Sequence, residues 1–352
     1  MRKVTVCASR SYDVLIEKGI LRRAGELCLS VTAPSVAVIV TDTNVAPLYL
    51  DSVKTSLENS GFETRDFIVS AGEEQKNAEN YLALLSFMAT GGVTRSDVIV
   101  ALGGGVVGDL AGFAAATYMR GIKLVQIPTT LLSMVDSSVG GKTAIDMPDG
   151  KNIVGAFYQP SLVICDPNVL NTLPDAILND GYAEALKYGI ISDPELWNIL
   201  KSSVSSRNDM IEQVIQRCVS DKRDLVEADE RDEGVRHLLN FGHTPAHAIE
   251  VLSDFTVSHG NAVAMGIVIM TRAAVKMGFC TERELNDIVE LISSYGLPTA
   301  CQFSASELAR TAASDKKRNR ENISVILPHG IDKCEIHKMH VCELEALFSL
   351  GL

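Results

Sequence analysis

No long hydrophobic run occurs in this 352-residue chain. Counting glycine, the longest are VIVALGGGVVG at 98–108, eleven residues, and AVAMGIVIM at 262–270, nine, against the roughly 20 that a membrane-spanning helix needs. The opening MRKVTVCASR lacks an apolar segment of the signal-peptide kind, so no secretion signal is expected. Positive charge is in deficit: 32 Lys and Arg face 44 Asp and Glu, for a net charge of −12. A nucleic-acid binder usually needs a dominant basic face, so that class is set aside. An acidic shell also disfavours anions, so an anionic substrate would require a local group of Lys and Arg. None of the 8 cysteines forms a C-x-x-C, and a chain this long needs no disulfide staples. Reduced thiols in a cytoplasmic protein are the expectation.

What remains is ordinary globular composition, 46% hydrophobic and 22% charged, which removes disordered and collagen-like readings. At about 150 residues per domain the length suggests two domains. The texture changes near residue 175. Before it, β-rich runs (Ser35–Thr41, Val98–Leu102, Lys123–Ile127, Leu162–Cys165) alternate with helical patterns such as 46–60 and 77–90. That alternation predicts a mostly parallel sheet with helical crossovers, binding ligands at the carboxyl ends of its strands. After it, helical spacing covers 176–203, 207–228, 244–253, 260–278, 281–295 and 305–314, punctuated by Pro174, Pro194, Pro245 and Pro298. A VIL run at 325–327 stands out as the exception. The expected architecture is an α/β domain over 1–175, Rossmann-like, and an all-α domain over 176–352, with a cleft between them.

Three groups of residues carry chemistry. The first is VIVALGGGVVGDLAGF, 98–113, where a strand runs into Gly103, Gly104 and Gly105 and then a small-residue helix. Glycines let backbone approach a pyrophosphate, which the helix N-terminus favours. The acid that an ordinary dinucleotide fingerprint places about 20 residues downstream is missing; Asp42, ending an earlier strand, could hold a ribose diol or simply form a turn. The second group is 133–160, where Asp136, Lys142, Lys151 and Asn152 sit among glycines in what reads as loop. Lysines beside glycine turns suit an anion, although a solvated loop side chain is the plain alternative. The third is metal-capable: Glu184, His243, His247 and His259. Glu184 and Lys187 are also spaced as a simple helix-surface ion pair. His243 and His247 have i,i+4 ligand spacing, but Pro245 favours a helix starting about there with Thr244 as N-cap, leaving His243 outside it. Spacing alone leaves the ligand set open. Lys222, Arg236 and the run Asp315–Arg320 are the remaining basic candidates.

Together GGGVVGDLAGF, RGI, QIPTTLLSMVDSSVGGKTAID, GKNIVGAFYQP, GYAEALKYG, RHLLNFGHTPAHAIE, HGNAVAMG and the DKK at 315–317 resemble the 3-dehydroquinate synthase family, in the family's order and across most of the chain. The resemblance implies a homodimer with an NAD-binding domain and a helical metal- and substrate-binding domain, and an active site between them. It implies NAD⁺ contacts at Asp42, Asn44, Glu73, Lys76, Gly104, Gly105, Asp109, Thr129, Thr130, Thr172 and Leu173, with Asp136, Lys142 and Lys151 in the same set. It implies Zn²⁺ (or Co²⁺) ligands at Glu184, His243 and His259, with Lys187 beside them. Substrate contacts would be Lys142, Asn152, Asn240 and His247, largely around a phosphate, and Lys222 and Arg236 on a carboxylate. Lys316 would reach the phosphate, and Arg120 would be donated across the dimer. The chain departs from the family at Pro245 and Ala246, where an aromatic and a glycine are usual, and at Asp232, often Glu.

The implied substrate is a phosphorylated sugar acid, 3-deoxy-D-arabino-heptulosonate 7-phosphate. It would be transiently oxidised by NAD⁺, lose phosphate by β-elimination, be reduced again and close by an aldol step. Neither nucleic acid nor membrane is an expected partner. Metal-dependent polyol dehydrogenases and other sugar-phosphate cyclases are the rival readings. The first would not need Lys142, Lys151, Asn152, Lys222 and Arg236 together, and Lys222 with Arg236 counts against the second. A non-catalytic NAD-binding regulator would be expected to lack some of these residues.

Overall fold

The computed structural model describes residues 1–315 and 321–352. The chain divides into two compact units, Met1–Leu173 with Lys222–Arg231, and Pro174–Asp221 with Asp232–Leu352.

The first unit holds β1 (Arg2–Cys7), β2 (Ser11–Ile16), β3 (Val36–Asp42), β4 (Glu63–Val69), β5 (Val98–Gly103), β6 (Lys123–Pro128), β7 (Lys142–Met147), β8 (Gly150–Phe157) and β9 (Leu162–Cys165). Its helices are α1 (Ala24–Cys28), α2 (Asp51–Asn59), α3 (Ala78–Thr90) and α4 (Gly105–Thr117). Seven strands form one sheet in the order β1-β2-β9-β6-β5-β3-β4. The β1–β2 pair is antiparallel and the other pairs are parallel. β5 lies centrally and is buried along its whole length, which is why VIVAL reads as an unbroken apolar run rather than an alternation. Val38, Val40, Ile99 and Ala101 pack with Val107, Ala111 and Ala114 of α4 in the core. Chain order reverses at β3: β4 lies on one side of it and β5, the next strand, on the other. Such a switch point opens a crevice at the strands' carboxyl ends.

Residues 133–160 are not the expected loop. They form a helical turn (Ser133–Ser137) and the antiparallel hairpin β7–β8, in which Lys142 pairs with Phe157. Much of β8 is exposed, so it lacks the one-sided apolar alternation that marks a half-buried strand.

The second unit holds α5 (Asp175–Ile191), α6 (Pro194–Ser202), α8 (His243–Leu252), α9 (His259–Lys276), α10 (Glu282–Ser294), α11 (Ala305–Asp315) and α12 (Leu344–Gly351), with α7 (Arg207–Ala228) running through the boundary at 221/222. The expected single helical stretch 176–203 breaks in two. Asp193 accepts hydrogen bonds from Glu195 N and Leu196 N, at 3.0 and 2.9 Å, and Pro194 follows it, so a new helix starts there. The VIL run belongs to a hairpin of β10 (Asn322–Pro328) and β11 (Cys334–His340), the one sheet in an otherwise helical unit among the described residues. α9 is the buried centre, packed on α5, α8, α10 and α12. Its Gly266 lets α8 approach: an added Cβ would collide with the carbonyl oxygen of Gly242.

Candidate active site

In the first unit, the carboxyl ends of β3, β5 and β6 bring Asp42, Gly103–Gly105 and Thr129–Thr130 to one edge of the sheet. Gly104 caps α4 and Gly105 begins it, so backbone N–H groups and the positive end of the helix dipole point out of the turn. A Cβ on Gly104 would come within 3.2 Å of Thr130 Cγ2, and one on Gly105 within 3.3 Å of Ser137 Oγ. The glycines therefore keep a narrow backbone cradle open. Thr129 Oγ1 is buried there without a hydrogen-bond partner in the chain. A cradle with bare N–H groups and an unanswered hydroxyl fits a dinucleotide's pyrophosphate. Asp42 Oδ1 accepts from Asn44 N and Val45 N, at 2.8 and 3.0 Å, so the turn-forming role is realised whatever else that carboxylate does. Thr172 follows β9 and its Oγ1 lies 2.6 Å from Tyr49 Oη; Leu173 comes next.

Beside the turn stands a charge cluster. Lys76 Nζ is 2.8 Å from Glu73 Oε1, 3.3 Å from Asp109 Oδ2 and 3.8 Å from Asp146 Oδ1. Lys151 Nζ lies 4.0 Å from Glu73. Burial would lower the Lys76 ammonium, but Asp109, Glu73 and Asp146 outweigh it and raise it. For Asp109 burial wins over Lys76, with Glu73 and Asp146 adding to it, and its carboxyl is pushed up to about 7. Asp146 escaped the sequence reading. Its backbone N–H donates to Lys76 O at 2.7 Å, a contact with no signature in sequence spacing. Lys222 is buried and donates to both the carbonyl and Oδ1 of Asp136, each at 2.7 Å. Lys142, Asn152 and Arg120 are exposed; Asn152 and Arg120 have left-handed backbones at φ 57° and 67°. Arg120 sits past the C-terminal end of α4, away from the glycine turn.

In the second unit, Glu184, His243 and His259 each present a ligand atom, and these lie within 4.8 Å of one another. His243 Nε2 is 3.4 Å and His259 Nε2 3.3 Å from Glu184 Oε1. Glu184 is fully buried, and both its oxygens lack a hydrogen bond of sound geometry. Lys187 is paired with it and also buried, so this is no surface ion pair. Burial would push the Glu184 carboxyl up, but Lys187, His243 and His259 hold it well below its ordinary value. Burial would likewise lower His259; contacts with Glu184 and Glu250 raise it to about 10. A carbonyl oxygen can only accept, so His243, with Nδ1 3.1 Å from Phe241 O, carries its hydrogen there and donates it. Two Nε2 atoms and a buried carboxylate facing inward call for positive charge at their centre, as a proton or a metal ion. That donor set suits a catalytic Zn²⁺.

α8 begins at His243, with Gly242 (φ 80°) as N-cap, not at Thr244. Pro245 lies in the first turn, where a missing N–H costs nothing, so it does not exclude His243 from the helix. His247 is exposed, its ring 5.6 Å from that of His243 and edge-on to it. Arg236 is 1% exposed and Asn240 is exposed; both lie in the turn Val235–Asn240. Asp232 Oδ1 is 3.9 Å from His237 Nε2. Lys316 lies outside the described residues.

Residues 66–180 match the 3-dehydroquinate synthase N-terminal family and residues 181–318 the 3-dehydroquinate synthase C-terminal family. The chain belongs to the 3-dehydroquinate synthase family. A relative from Streptococcus pneumoniae, named 3-dehydroquinate synthase, is 44% identical over 95% of this chain and 96% of its own. One of the same name from Pelobacter propionicus is 42% identical over 97% and 96%. Among solved structures, a 2-epi-5-epi-valiolone synthase from Streptomyces hygroscopicus with NAD⁺ and Zn²⁺ bound has a TM-score of 0.88 and 27% identity, covering 99% of this chain and 98% of its own. Among the described residues no helix is long and apolar enough to cross a membrane.

Proposed function

We propose that this family member converts 3-deoxy-D-arabino-heptulosonate 7-phosphate to 3-dehydroquinate and inorganic phosphate, a step of aromatic biosynthesis. In a chain of this family, the observation that carries the reading is the convergence of Glu184, His243 and His259. When bound, NAD⁺ supplies reversible hydride acceptance and a divalent cation, Zn²⁺ or Co²⁺, supplies Lewis-acid polarisation of a substrate oxygen.

The chain's own residues do the rest. In the first unit the Gly104–Gly105 turn takes the cofactor's pyrophosphate, flanked by Asp42, Asn44, Thr129, Thr130, Thr172 and Leu173. Glu73, Lys76, Asp109, Asp136 and Lys151 complete the cofactor's surroundings. Lys142 and Asn152 offer exposed polar groups to the phosphate, Lys316 is assigned to the same phosphate, and Lys222 meets the carboxylate. In the second unit Glu184, His243 and His259 would hold the cation, and Lys187 neutralises the Glu184 oxygen turned towards it. Arg236, buried and permanently charged, is suited to a carboxylate. Asn240 and the exposed imidazole of His247 contact substrate, and a His247 ring nitrogen can hold or move a proton. We further propose that the enzyme is a cytoplasmic homodimer to which Arg120 contributes from the neighbouring copy; its exposed position at the end of α4 is compatible with that use.

The test is incubation with the heptulosonate phosphate and substoichiometric NAD⁺, following phosphate, cyclic product and NADH. Phosphate and product should rise together through many turnovers per NAD⁺ while NADH stays low. NADH accumulating in step with phosphate would instead mark a dehydrogenase. Equal turnover of a heptulose phosphate lacking the carboxylate would point to another cyclase.

A further inference from the structure

The two candidate ligand histidines are held differently. His243 Nδ1 lies 3.1 Å from a backbone carbonyl, that of Phe241. His259 Nδ1 lies 3.5 Å from a carboxylate oxygen, Glu250 Oε1. Glu250 is buried, its side chain 11% exposed. It sits seven residues after His243 on α8, two helical turns along and on the same face. α8 therefore carries one ligand at its first residue and a partner for the other in its last turn.

We propose that Glu250 is a positioning residue for the metal site: it takes the Nδ1 hydrogen of His259 and so turns Nε2 towards Glu184 as a ligand atom. An imidazole free to rotate can present either nitrogen, and only one of the two orientations puts Nε2 3.3 Å from Glu184 Oε1. A carboxylate behind a ligating histidine fixes both ring orientation and tautomer and makes the ligand nitrogen more basic. The start of α9 is fixed independently. Ser258 Oγ donates to Asp180 Oδ1 at 2.7 Å, and Gly260 packs on the Asp180 backbone too closely for any Cβ. That contact places the His259 backbone; Glu250 acts on the ring. The proposal rests on the reading of Glu184, His243 and His259 as ligands.

The experiment measures Zn²⁺ affinity of the full chain by competition with a chromogenic chelator, and the visible spectrum of the Co²⁺-loaded protein. It compares the unsubstituted protein, Glu250→Ala, Glu250→Gln and His243→Ala. Glu250→Ala should weaken Zn²⁺ binding by about 10- to 100-fold and change the Co²⁺ bands. Glu250→Gln keeps an acceptor oxygen and should recover most of the affinity and a near-normal spectrum. A merely structural role for Glu250 would not give this spectral change and its rescue. Unchanged affinity and spectrum in Glu250→Ala, with His243→Ala losing the metal, would overturn the positioning role alone. Metal retained at full affinity by His243→Ala would overturn the ligand reading and the proposal with it. Should Glu250→Ala not fold, a Glu250→Gln spectrum matching a misoriented ligand, with weakened affinity, would overturn the proposed rescue by an acceptor oxygen.

Discussion

The two units hold charge clusters of opposite pattern. In the first, one lysine, Lys76, faces the carboxylates of Glu73, Asp109 and Asp146. In the second, one carboxylate, Glu184, faces Lys187, His243 and His259. Burial acts on both acids in the same direction, since leaving water disfavours the charged form. The outcomes are opposite. Glu184 has three bases around it and stays ionised. Asp109 shares one lysine with two other acids, and its carboxyl titrates at about 7. Partner count, not depth, decides which buried acid keeps its charge. The Glu184 cluster is built from groups that can yield to a cation, because the proton that its carboxylates draw onto His259 stands where a metal would bring its charge.

The sharpest way to break that contrast is to remove a base from the Glu184 cluster. His243→Ala should lose bound metal, since three protein ligands are the usual minimum of a catalytic zinc site, and turnover should fall by about 10³-fold or more. His247→Ala should keep its metal and lose about 10²-fold in turnover, as for a positioned acid–base group. Metal content by mass spectrometry, read beside activity, checks both. A metal-free His247→Ala with fully loaded His243→Ala would reverse the roles.

A smaller effect is expected at the backbone. Gly260 lies against Asp180 with no room for a side chain, and it directly follows His259. Gly260→Ala should force α9 from α5 and cost about 1–3 kcal/mol of stability, with zinc affinity reduced as well. A melting temperature within about a degree of the parent would show that this close approach is not structural.

How legible these features were follows from the physics that places them. The central strands announced themselves because a strand buried on both faces must be apolar throughout, as β5 is. β4 (ETRDFIV) is a partly exposed edge strand, and its charges hid it. The hairpin β7–β8 read as loop for a related reason: glycines and lysines on an exposed ribbon carry no alternation. Glu184 and His243 were visible as residue types, but i,i+3 spacing beside Lys187 looked like a surface pair. Only three-dimensional burial separates the two. Asp146 and Asp180 act through contacts between elements distant in sequence, and Glu250 through one across the turn between two successive helices; no periodicity encodes those. Pro245 misled because its cost depends on where the helix starts, which the left-handed Gly242 sets.

The smallest expected effect tests the Lys76 cluster. Asp109 has a folded-state pKa of about 7, above the roughly 3.9 of an unfolded aspartate. Between those values the folded protein binds more protons than the unfolded chain, so this group's contribution falls as pH rises from about 4 to 7. Asp109→Asn is neutral at every pH and leaves Lys76 paired with Glu73 and Asp146. Relative to the parent, the variant should therefore gain stability on going from pH 5 to pH 8, by about 1–2 kcal/mol. Urea unfolding of both proteins at the two pH values, without added NAD⁺, measures the difference. A gap between parent and variant that stays constant with pH would mean that Asp109 remains ionised throughout. The two clusters would then differ in the sign of their charges but not in how firmly they hold them.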